Sequence, residues 1–216
     1  RGLGDVYKRQ AQQWAGSANE EQQALGHFLM NWLSDDEHIV LHTSGSTGKP
    51  KEIQMPKTAM YASAVRTAAF FNLSDGDSAL LCLPIRYIAG KMMLVRALVL
   101  GLHLDIIPPK TTLHIEKDYT FAALIPLQAN ASFEVLGRFK TVLIGGAPIP
   151  TELRNRISKK HKHCIETFGM TETLTHVATR VVSDVAIPFV AMPGIGVSKD
   201  ENDCLVLEVP YLPLSP

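Results

Sequence analysis

The sequence predicts an α/β fold, with a mostly parallel sheet flanked by helices and with antiparallel strands near the C-terminal end. Short apolar segments of strand length alternate with longer segments whose apolar residues recur at helical spacing. Gly- or Pro-containing loops follow several of the short segments, as expected where strands end. Hydrophobic residues make up 46% of the 216 residues and charged residues 19%, a balance typical of globular proteins. Strands that alternate with helices favour a parallel sheet whose functional residues lie at the carboxyl ends of its strands.

The first third of the chain predicts two helices on either side of a pair of strands. Apolar residues between Leu25 and Trp32 recur at helical spacing, which indicates a helix from Glu20 to Leu33. The segments HIVLHT and KEIQM follow as two strands, joined by a loop rich in hydroxyl groups. Pro56 suits the first turn of a further helix that we expect to run to Phe71.

The rest of the chain continues the alternation and then changes character. Five further strands are predicted at SALLCLP, HLDIIP, FAALIP, KTVLIGG and HCIETFG. Three further helices are predicted at 89–100, 127–139 and 150–161, the first of them ending at Gly101. The tail from Pro193 to Val209 predicts antiparallel strands around the turn KDEND.

Charge and cysteine content exclude several classes of protein. Lys+Arg and Asp+Glu both number 21, so no overall field attracts nucleic acid or an anionic membrane. Charged residues also interrupt the most apolar span, residues 87–107, which argues against a transmembrane helix. Cys82, Cys164 and Cys204 are far apart and odd in number, which argues against a disulfide framework or a zinc cluster. Cys82 and Cys164 lie in apolar segments and are expected in the core, and a cytoplasmic location is expected.

Both ends of the sequence look unnatural, and the C-terminal end stops at YLPLSP, directly after the strand-like segment CLVLEV. Residues 1–10 (RGLGDVYKRQ) contain no initiator Met, and Asp5 to Gln10 resemble a translated sequencing adapter. We therefore expect residues 1–10 to be a scar and residues 11–216 to be a fragment of a longer protein.

The loop TSGSTGKPK, Thr43 to Lys51, predicts a site for a polyanion. It sets backbone N–H groups, hydroxyls and lysines directly after a buried strand, where they can face phosphate oxygens. It is not a Walker A loop, because Thr43 stands where the first Gly belongs and Pro50 where the Ser/Thr belongs. The alternative is an ordinary Gly/Ser hairpin.

Two later loops could share the same ligand. ETFGMTET, Glu166 to Thr173, offers an aromatic ring, a Gly for close backbone approach, a hydroxyl and a carboxylate that suits Mg²⁺. The alternative for its Thr171 and Glu172 is a capping box that opens a helix. LIGGAPIP, Leu143 to Pro150, has two glycines that would let the backbone contact a flat ligand, although a tight strand-to-helix turn explains them equally.

Together the three loops resemble the adenylate-forming superfamily, which includes acyl-CoA synthetases, adenylation domains and luciferases. TSGSTGKPK matches the phosphate loop of that family, GGAP its adenine-contacting turn, and TFGMTE its second signature, with Phe168 in place of Tyr. The resemblance covers Glu20 to Pro216. It implies ATP, Mg²⁺ and CoA as co-substrates or cofactors of a ligase. The residues that it assigns to the β- and γ-phosphates are Thr43, Ser44, Gly45, Ser46, Thr47, Gly48 and Lys51.

The same resemblance assigns the other loops. Thr171 would contact phosphate and Glu172 would hold Mg²⁺, so that Lys51, Thr171 and Glu172 are the candidate catalytic residues. The residues that would frame adenine are Gly145, Gly146, Ala147, Phe168 and Gly169. The family also needs a ribose-binding Asp and a small C-terminal domain with a catalytic Lys, so residues 11–216 would be a partial AMP-binding N-terminal domain, inactive as it stands.

Within the superfamily the sequence looks most like the o-succinylbenzoate–CoA ligases of menaquinone biosynthesis. The likeness lies in LPIRYIAGKMM and GMTETLTHVATR, where Arg86, Tyr87 and Lys91 are the candidate acid-binding residues. The expected partners are a small carboxylic acid, ATP and CoA, with no nucleic acid and no membrane segment. Another acyl or aryl acid ligase acting on CoA or a carrier protein, and an ATP-binding module without chemistry, remain open.

Overall fold

The computed structural model describes residues 3–42, 51–185 and 187–212, and it confirms the α/β fold there. The helices are α1 (Leu3–Ala15), α2 (Glu20–Trp32), α3 (Lys57–Phe71), α4 (Ile88–Leu100), α5 (Pro126–Ala131) and α6 (Thr151–Lys160). The strands are β1 (His38–His42), β2 (Glu52–Pro56), β3 (Ser78–Leu81), β4 (His103–Ile106), β5 (Tyr119–Leu124), β6 (Phe139–Ile144), β7 (Cys164–Gly169), β8 (His176–Val181), β9 (Val190–Ala191), β10 (Gly196–Lys199) and β11 (Leu205–Glu208).

A seven-stranded sheet forms the centre of the fold, in the order β4-β3-β5-β6-β7-β8-β9. The strands from β4 to β7 in this order are parallel, whereas β8 and β9 join antiparallel. Two antiparallel pairs lie outside the sheet, β1 with β2 and β10 with β11. They confirm the strands predicted on either side of the hydroxyl-rich loop and around the KDEND turn.

Helices cover both faces of the sheet and form two hydrophobic cores. Side chains of α1 to α4 pack on one face, and side chains of α5 and α6 pack on the other. The alternation along β3 shows the division, since Leu80 faces the second core and Leu81 the first. Burial raises the pKa of the Cys82 and Cys164 thiols to about 12, so both are uncharged core residues, as predicted.

The structure divides the helix predicted at 127–139. The chain turns at Ser132, between α5 and a 3₁₀ helix at Phe133–Arg138. The Ser132 hydroxyl accepts a hydrogen bond from the amide of Leu113 at 2.9 Å, and this contact fixes the break.

Three elements were not predicted: α1, β8 and β9. A side chain at Gly26 of α2 would come within 2.2 Å of the Ala15 amide nitrogen, so the glycine lets α1 and α2 pack closely. Ala11 of α1 is fully buried in this contact. The interpretation of residues 1–10 as non-native concerns the origin of the sequence and stays a prediction. Within the described ranges, no helix is both long enough and apolar enough to cross a membrane.

Candidate active site

A cavity of about 140 Å³ opens at the carboxyl edge of the parallel strands. The ends of β3, β5, β6 and β7 and the first turns of α4 form its walls, at the edge where a parallel sheet places its ligands. Its lining residues are Leu83, Ile88, Ala89, Arg96, Ala123, Leu124, Ile125, Leu143, Gly145, Gly146, Thr167, Gly169, Met170, Leu174, Thr175 and His176.

The turn after β6 brings two of the predicted adenine-binding glycines into this cavity. Gly146 has φ +76°, a left-handed conformation that favours glycine. A Cβ on Gly145 would lie 2.5 Å from the Thr167 hydroxyl oxygen, so this position also lacks room for a side chain without a shift. Ala147 follows on the exposed side of the turn. The backbone of the turn is thus open to a flat ligand.

The loop after β7 is a tight turn closed by hydrogen bonds of the Thr173 hydroxyl. Gly169 lines the cavity, and a Cβ there would come within 2.1 Å of the Thr175 carbonyl oxygen. The Thr173 hydroxyl accepts a hydrogen bond from the Met170 amide at 3.0 Å and donates one to the Thr175 carbonyl at 2.8 Å. These bonds hold the predicted signature loop in one shape.

Thr171 and Glu172 lie at the tip of that turn, and no helix begins at either residue. The helix-cap alternative therefore does not apply to them. Glu172 is exposed, and the described residues contain no group of three or more His, Cys, Asp or Glu placed to hold a metal ion. An ion at Glu172 would take its other ligands from phosphate and water, which is how Mg²⁺ commonly binds beside a nucleotide. The carboxylate thus fits Mg²⁺, and its role stays a prediction.

Phe168 lies outside the cavity. Its side chain is on the face of β7 opposite to Thr167 and is 37% exposed. The ring centroid lies 6.1 Å from that of Phe189, in a tilted arrangement. Phe168 therefore stands at the rim, at the end of the same strand that carries Gly169.

The three predicted acid-binding residues are not among the residues that line the cavity. The Lys91 ammonium donates to the carbonyls of Ile85 and Arg86, at 2.9 and 3.0 Å, and so ties down the turn before α4. Burial lowers its pKa. The Arg86 guanidinium stacks on the exposed Tyr87 ring, 4.9 Å from its centroid.

Arg96 lies about one and a half turns after Lys91 in α4. It does line the cavity and is only 2% exposed. It donates to the Thr67 hydroxyl at 3.3 Å and to the Thr175 hydroxyl at 2.6 Å, and it contacts the Met93 sulfur. Burial lowers its pKa to about 10, so the guanidinium stays charged at neutral pH. Among the described residues no carboxylate pairs with it. A buried cation with neutral partners only is costly, and it would be stabilised by an anionic ligand.

His176 extends this polar group. Its Nδ1 lies 2.9 Å from the Thr175 hydroxyl, and its buried Nε2 has no hydrogen-bond partner in the described part of the chain. Burial and the charge of Arg96 hold its pKa well below the ordinary value, so the ring is neutral. Since Thr175 accepts from Arg96, donating its own hydrogen to Nδ1 satisfies both groups. The ring proton then lies on Nε2, which is buried and has no acceptor among the described residues.

The sequence analysis selected Arg86 and Lys91 as acid-binding residues and did not select Arg96. The signal was present, because Arg96 stands in an otherwise apolar stretch, MMLVRALVL. Thr175 and His176 carried no comparable signal, since only the fold brings them to Arg96.

The predicted phosphate-binding residues Thr43, Ser44, Gly45, Ser46, Thr47 and Gly48 lie outside the described residues. Their loop connects β1 to β2, whose pairing is described. Lys51 is exposed and directly precedes β2.

A family of known enzymes matches most of this chain. The sequence model described as AMP-binding enzyme matches residues 4–212. A curated 2-succinylbenzoate–CoA ligase from Bacillus mycoides is 28% identical over 164 residues, which cover 70% of this chain and 34% of that protein. A second such ligase, from Bacillus licheniformis, is 28% identical over 154 residues, covering 67% and 32%. The chain thus spans about one third of the length of these relatives.

Solved structures share the fold. An acyl-CoA synthetase (AMP-forming)/AMP-acid ligase II-like protein from Dyadobacter fermentans superposes with a TM-score of 0.80 at 34% identity, covering 94% of this chain and 61% of that one. Wild-type E. coli MenE, with a bound m-phenylether-linked analogue of OSB-AMS, superposes with a TM-score of 0.63 at 26% identity, covering 80% and 39%.

Proposed function

The chain belongs to the AMP-binding enzyme family, and on that premise we propose that it forms the nucleotide- and acid-binding part of an AMP-forming acid–CoA ligase. The observation that carries the proposal is the cavity at the carboxyl edge of the sheet. It joins the Gly145–Gly146 turn, the loop after β7 and the buried Arg96, which has no carboxylate partner among the described residues. A nucleotide base at the rim would thus lie next to an acid in the cavity.

In the proposed reaction the acid is first activated, because a free carboxylate is a poor electrophile for the CoA thiol. A carboxylate oxygen attacks the α-phosphorus of ATP, the bond from that phosphorus to the bridging oxygen breaks, and pyrophosphate leaves. The CoA thiol then attacks the acyl carbon, a C–S bond forms, and AMP leaves as the thiol proton is lost. Bound Mg²⁺ would neutralise charge on the phosphates. The described residues contribute mainly by orienting the two substrates and by supplying donors to the acid.

We propose o-succinylbenzoate as the acid, because it keeps one ionised carboxylate while the other reacts. Burying that spectator charge without a partner would be unfavourable, whereas a fatty-acid pocket would be apolar along its length. Arg96 offers the cation, and His176 an uncharged donor beside it. The names of the curated relatives support the same acid. Arg86, Tyr87 and Lys91 stay candidates for the rim of the acid site.

The whole reaction is proposed for the complete ligase, since the chain spans about one third of its curated relatives. We expect these 216 residues alone to bind Mg·ATP without steady formation of a CoA thioester. The proposal includes a cytoplasmic location, where ATP and CoA are available.

Calorimetric titration of the 216-residue chain with Mg·ATP tests the nucleotide site. Replacing Thr43, Ser44 and Lys51 together with Ala should weaken binding at least about tenfold, because hydrogen bonds to charged groups are lost. If the unaltered chain does not bind Mg·ATP, or if the triple variant binds equally well, the nucleotide site is misassigned.

A further inference from the structure

Glu166 of β7 holds two arginines from neighbouring elements. Its side chain is 4% exposed, and its Oε2 lies 2.7 Å from Arg154 Nη2 of α6 and 2.5 Å from Arg180 Nε of β8. Its Oε1 accepts a longer bond, 3.4 Å, from the amide of Ile149 in the segment after the glycine turn. Burial alone would raise the pKa of Glu166, but the two arginines outweigh it and hold the pKa below its ordinary value. One charged carboxylate thus ties β7 to α6 and to β8.

Arg180 also contacts the segment that follows β8, at the rim of the sheet. Its Nη1 donates to the Ile187 carbonyl at 2.9 Å, and its guanidinium lies 4.2 Å from the centroid of the Phe189 ring. That ring contacts Phe168, and each of the two side chains is 37% exposed. A cation over one face of Phe189 leaves only the other face to a ligand.

We propose that Phe189 joins Phe168 as an aromatic wall for the nucleotide base, and that Glu166 is the positioning residue of that wall. This rests on the proposed function, because it needs a nucleotide at this edge of the sheet. Two exposed phenylalanines carry no polar group, so they recognise a partner by apolar contact and stacking, as bases do on aromatic side chains. Glu166 also contacts Ile149, three residues after Gly146, so the same carboxylate fixes the glycine turn relative to the aromatic wall.

The test compares two ligands on the 216-residue chain, ATP and inorganic tripolyphosphate, which has no base. Phe189→Ala should lower the affinity for ATP about fivefold or more, the range of one lost base stacking contact, and leave that for tripolyphosphate unchanged. The matched control is Phe70→Ala on α3, where an equally exposed ring packs on Phe71, 4.8 Å away. That variant should bind both ligands as the unaltered chain does.

The positioning role is tested by a double-mutant cycle. Glu166→Gln should also lower the affinity for ATP and leave that for tripolyphosphate unchanged. Adding Phe189→Ala to this variant should lower the affinity for ATP little further, because both changes remove the same contact. If Glu166→Gln does not fold, Arg180→Lys serves instead, since lysine lacks the planar group that stacks on Phe189.

The outcomes separate this inference from the proposed function. An unaltered chain that binds neither ligand would overturn the nucleotide site itself. A chain that binds ATP, with Phe189→Ala weakening both ligands equally or neither, would overturn the aromatic wall alone. Independent, additive losses in the cycle would overturn the positioning role of Glu166.

Discussion

Arg96 Nη2 donates a 2.6 Å hydrogen bond to Thr175 Oγ1 and so joins the middle of α4 to the loop between β7 and β8. Sequence places these two residues 79 positions apart. Their contact sets a positive charge against the wall of the cavity, with neutral partners only among the described residues.

Arg96 is predicted to bind the spectator carboxylate of the acid. Arg96→Lys keeps the charge but loses the planar fork that can contact Thr175 and a carboxylate together. We expect the KM for o-succinylbenzoate in the complete ligase to rise about tenfold or more, as for a lost hydrogen bond between charged groups. The KM for ATP should change little. Arg156→Lys on α6, where the arginine packs on Phe133, is the matched control, and a similar rise there would argue against a specific role.

His176 is predicted to make stability fall below about pH 6.5. The unfolded chain binds a proton near the ordinary pKa of about 6.5, whereas the folded chain does so only at much lower pH. On acidification from pH 7 to pH 5 the unfolded state therefore gains a proton at this ring before the folded state does. The free energy of unfolding should fall by up to about 2 kcal/mol.

Urea unfolding of the unaltered chain and of His176→Gln at both pH values measures this cost. The variant should lose less stability on acidification, because all other histidines are common to both proteins. Equal losses would mean that the ring is charged in the folded state or accessible to water.

Glu166 is also predicted to stabilise the fold less as the pH falls, but in a lower pH range than His176. Its folded pKa lies below the ordinary value, so its contribution is complete above about pH 4.3 and is lost as the pH falls through the folded pKa. Glu166→Gln leaves two arginines without their counter-ion and should cost about 3 kcal/mol at pH 7. The difference between the two proteins in urea unfolding should shrink toward pH 3.

Glu134→Gln is the control for that experiment, since its exposed ion pair with Lys160 should contribute little. If both variants lose the same stability, burial of the Glu166 cluster has no special effect.

Glu172 is predicted to bind Mg²⁺ and to contribute little to stability. Because no helix starts at this turn, Glu172→Gln should leave the melting temperature unchanged. In the complete ligase it should raise the Mg²⁺ concentration needed for activity and lower the rate at saturating ATP. A lowered melting temperature with full activity would assign Glu172 a structural role.

Much of this fold could be predicted from short-range patterns. The strand segments that contribute to the cavity end in Gly or Pro, and the helix ending at Gly101 is marked by a glycine at φ +70°. The 3₁₀ break at Ser132 could not be predicted, because it depends on Leu113, 19 residues away. β8 was missed because THVATR follows a signature whose residues suggested a loop. The pairing of Phe168 with Ala178 that makes it a strand is visible only in the sheet.

Some residues of the candidate site could likewise be predicted from local sequence, and others could not. Local sequence selected Gly145, Gly146 and Gly169. Close contacts leave no room for a side chain at Gly145 and Gly169, whereas Gly146 has a positive φ. It selected Lys91 and Arg86 as acid-binding residues, whereas the structure shows Lys91 bonded to backbone carbonyls and Arg86 stacked on Tyr87. Which cation of α4 faces the cavity depends on how the helix packs against the loop after β7. That packing is a long-range property.

Acid-dependent exchange of labelled pyrophosphate into ATP is the most direct test of the central claim, because it reports only the adenylation step. The complete ligase should support exchange with o-succinylbenzoate, more weakly with plain benzoate and with a medium-chain fatty acid, and Arg96→Lys should remove most of the preference. Exchange that prefers the fatty acid or benzoate would contradict the assignment of the acid. No exchange with any carboxylic acid, from a folded protein that binds Mg·ATP, would contradict the proposal that this fold activates carboxylates.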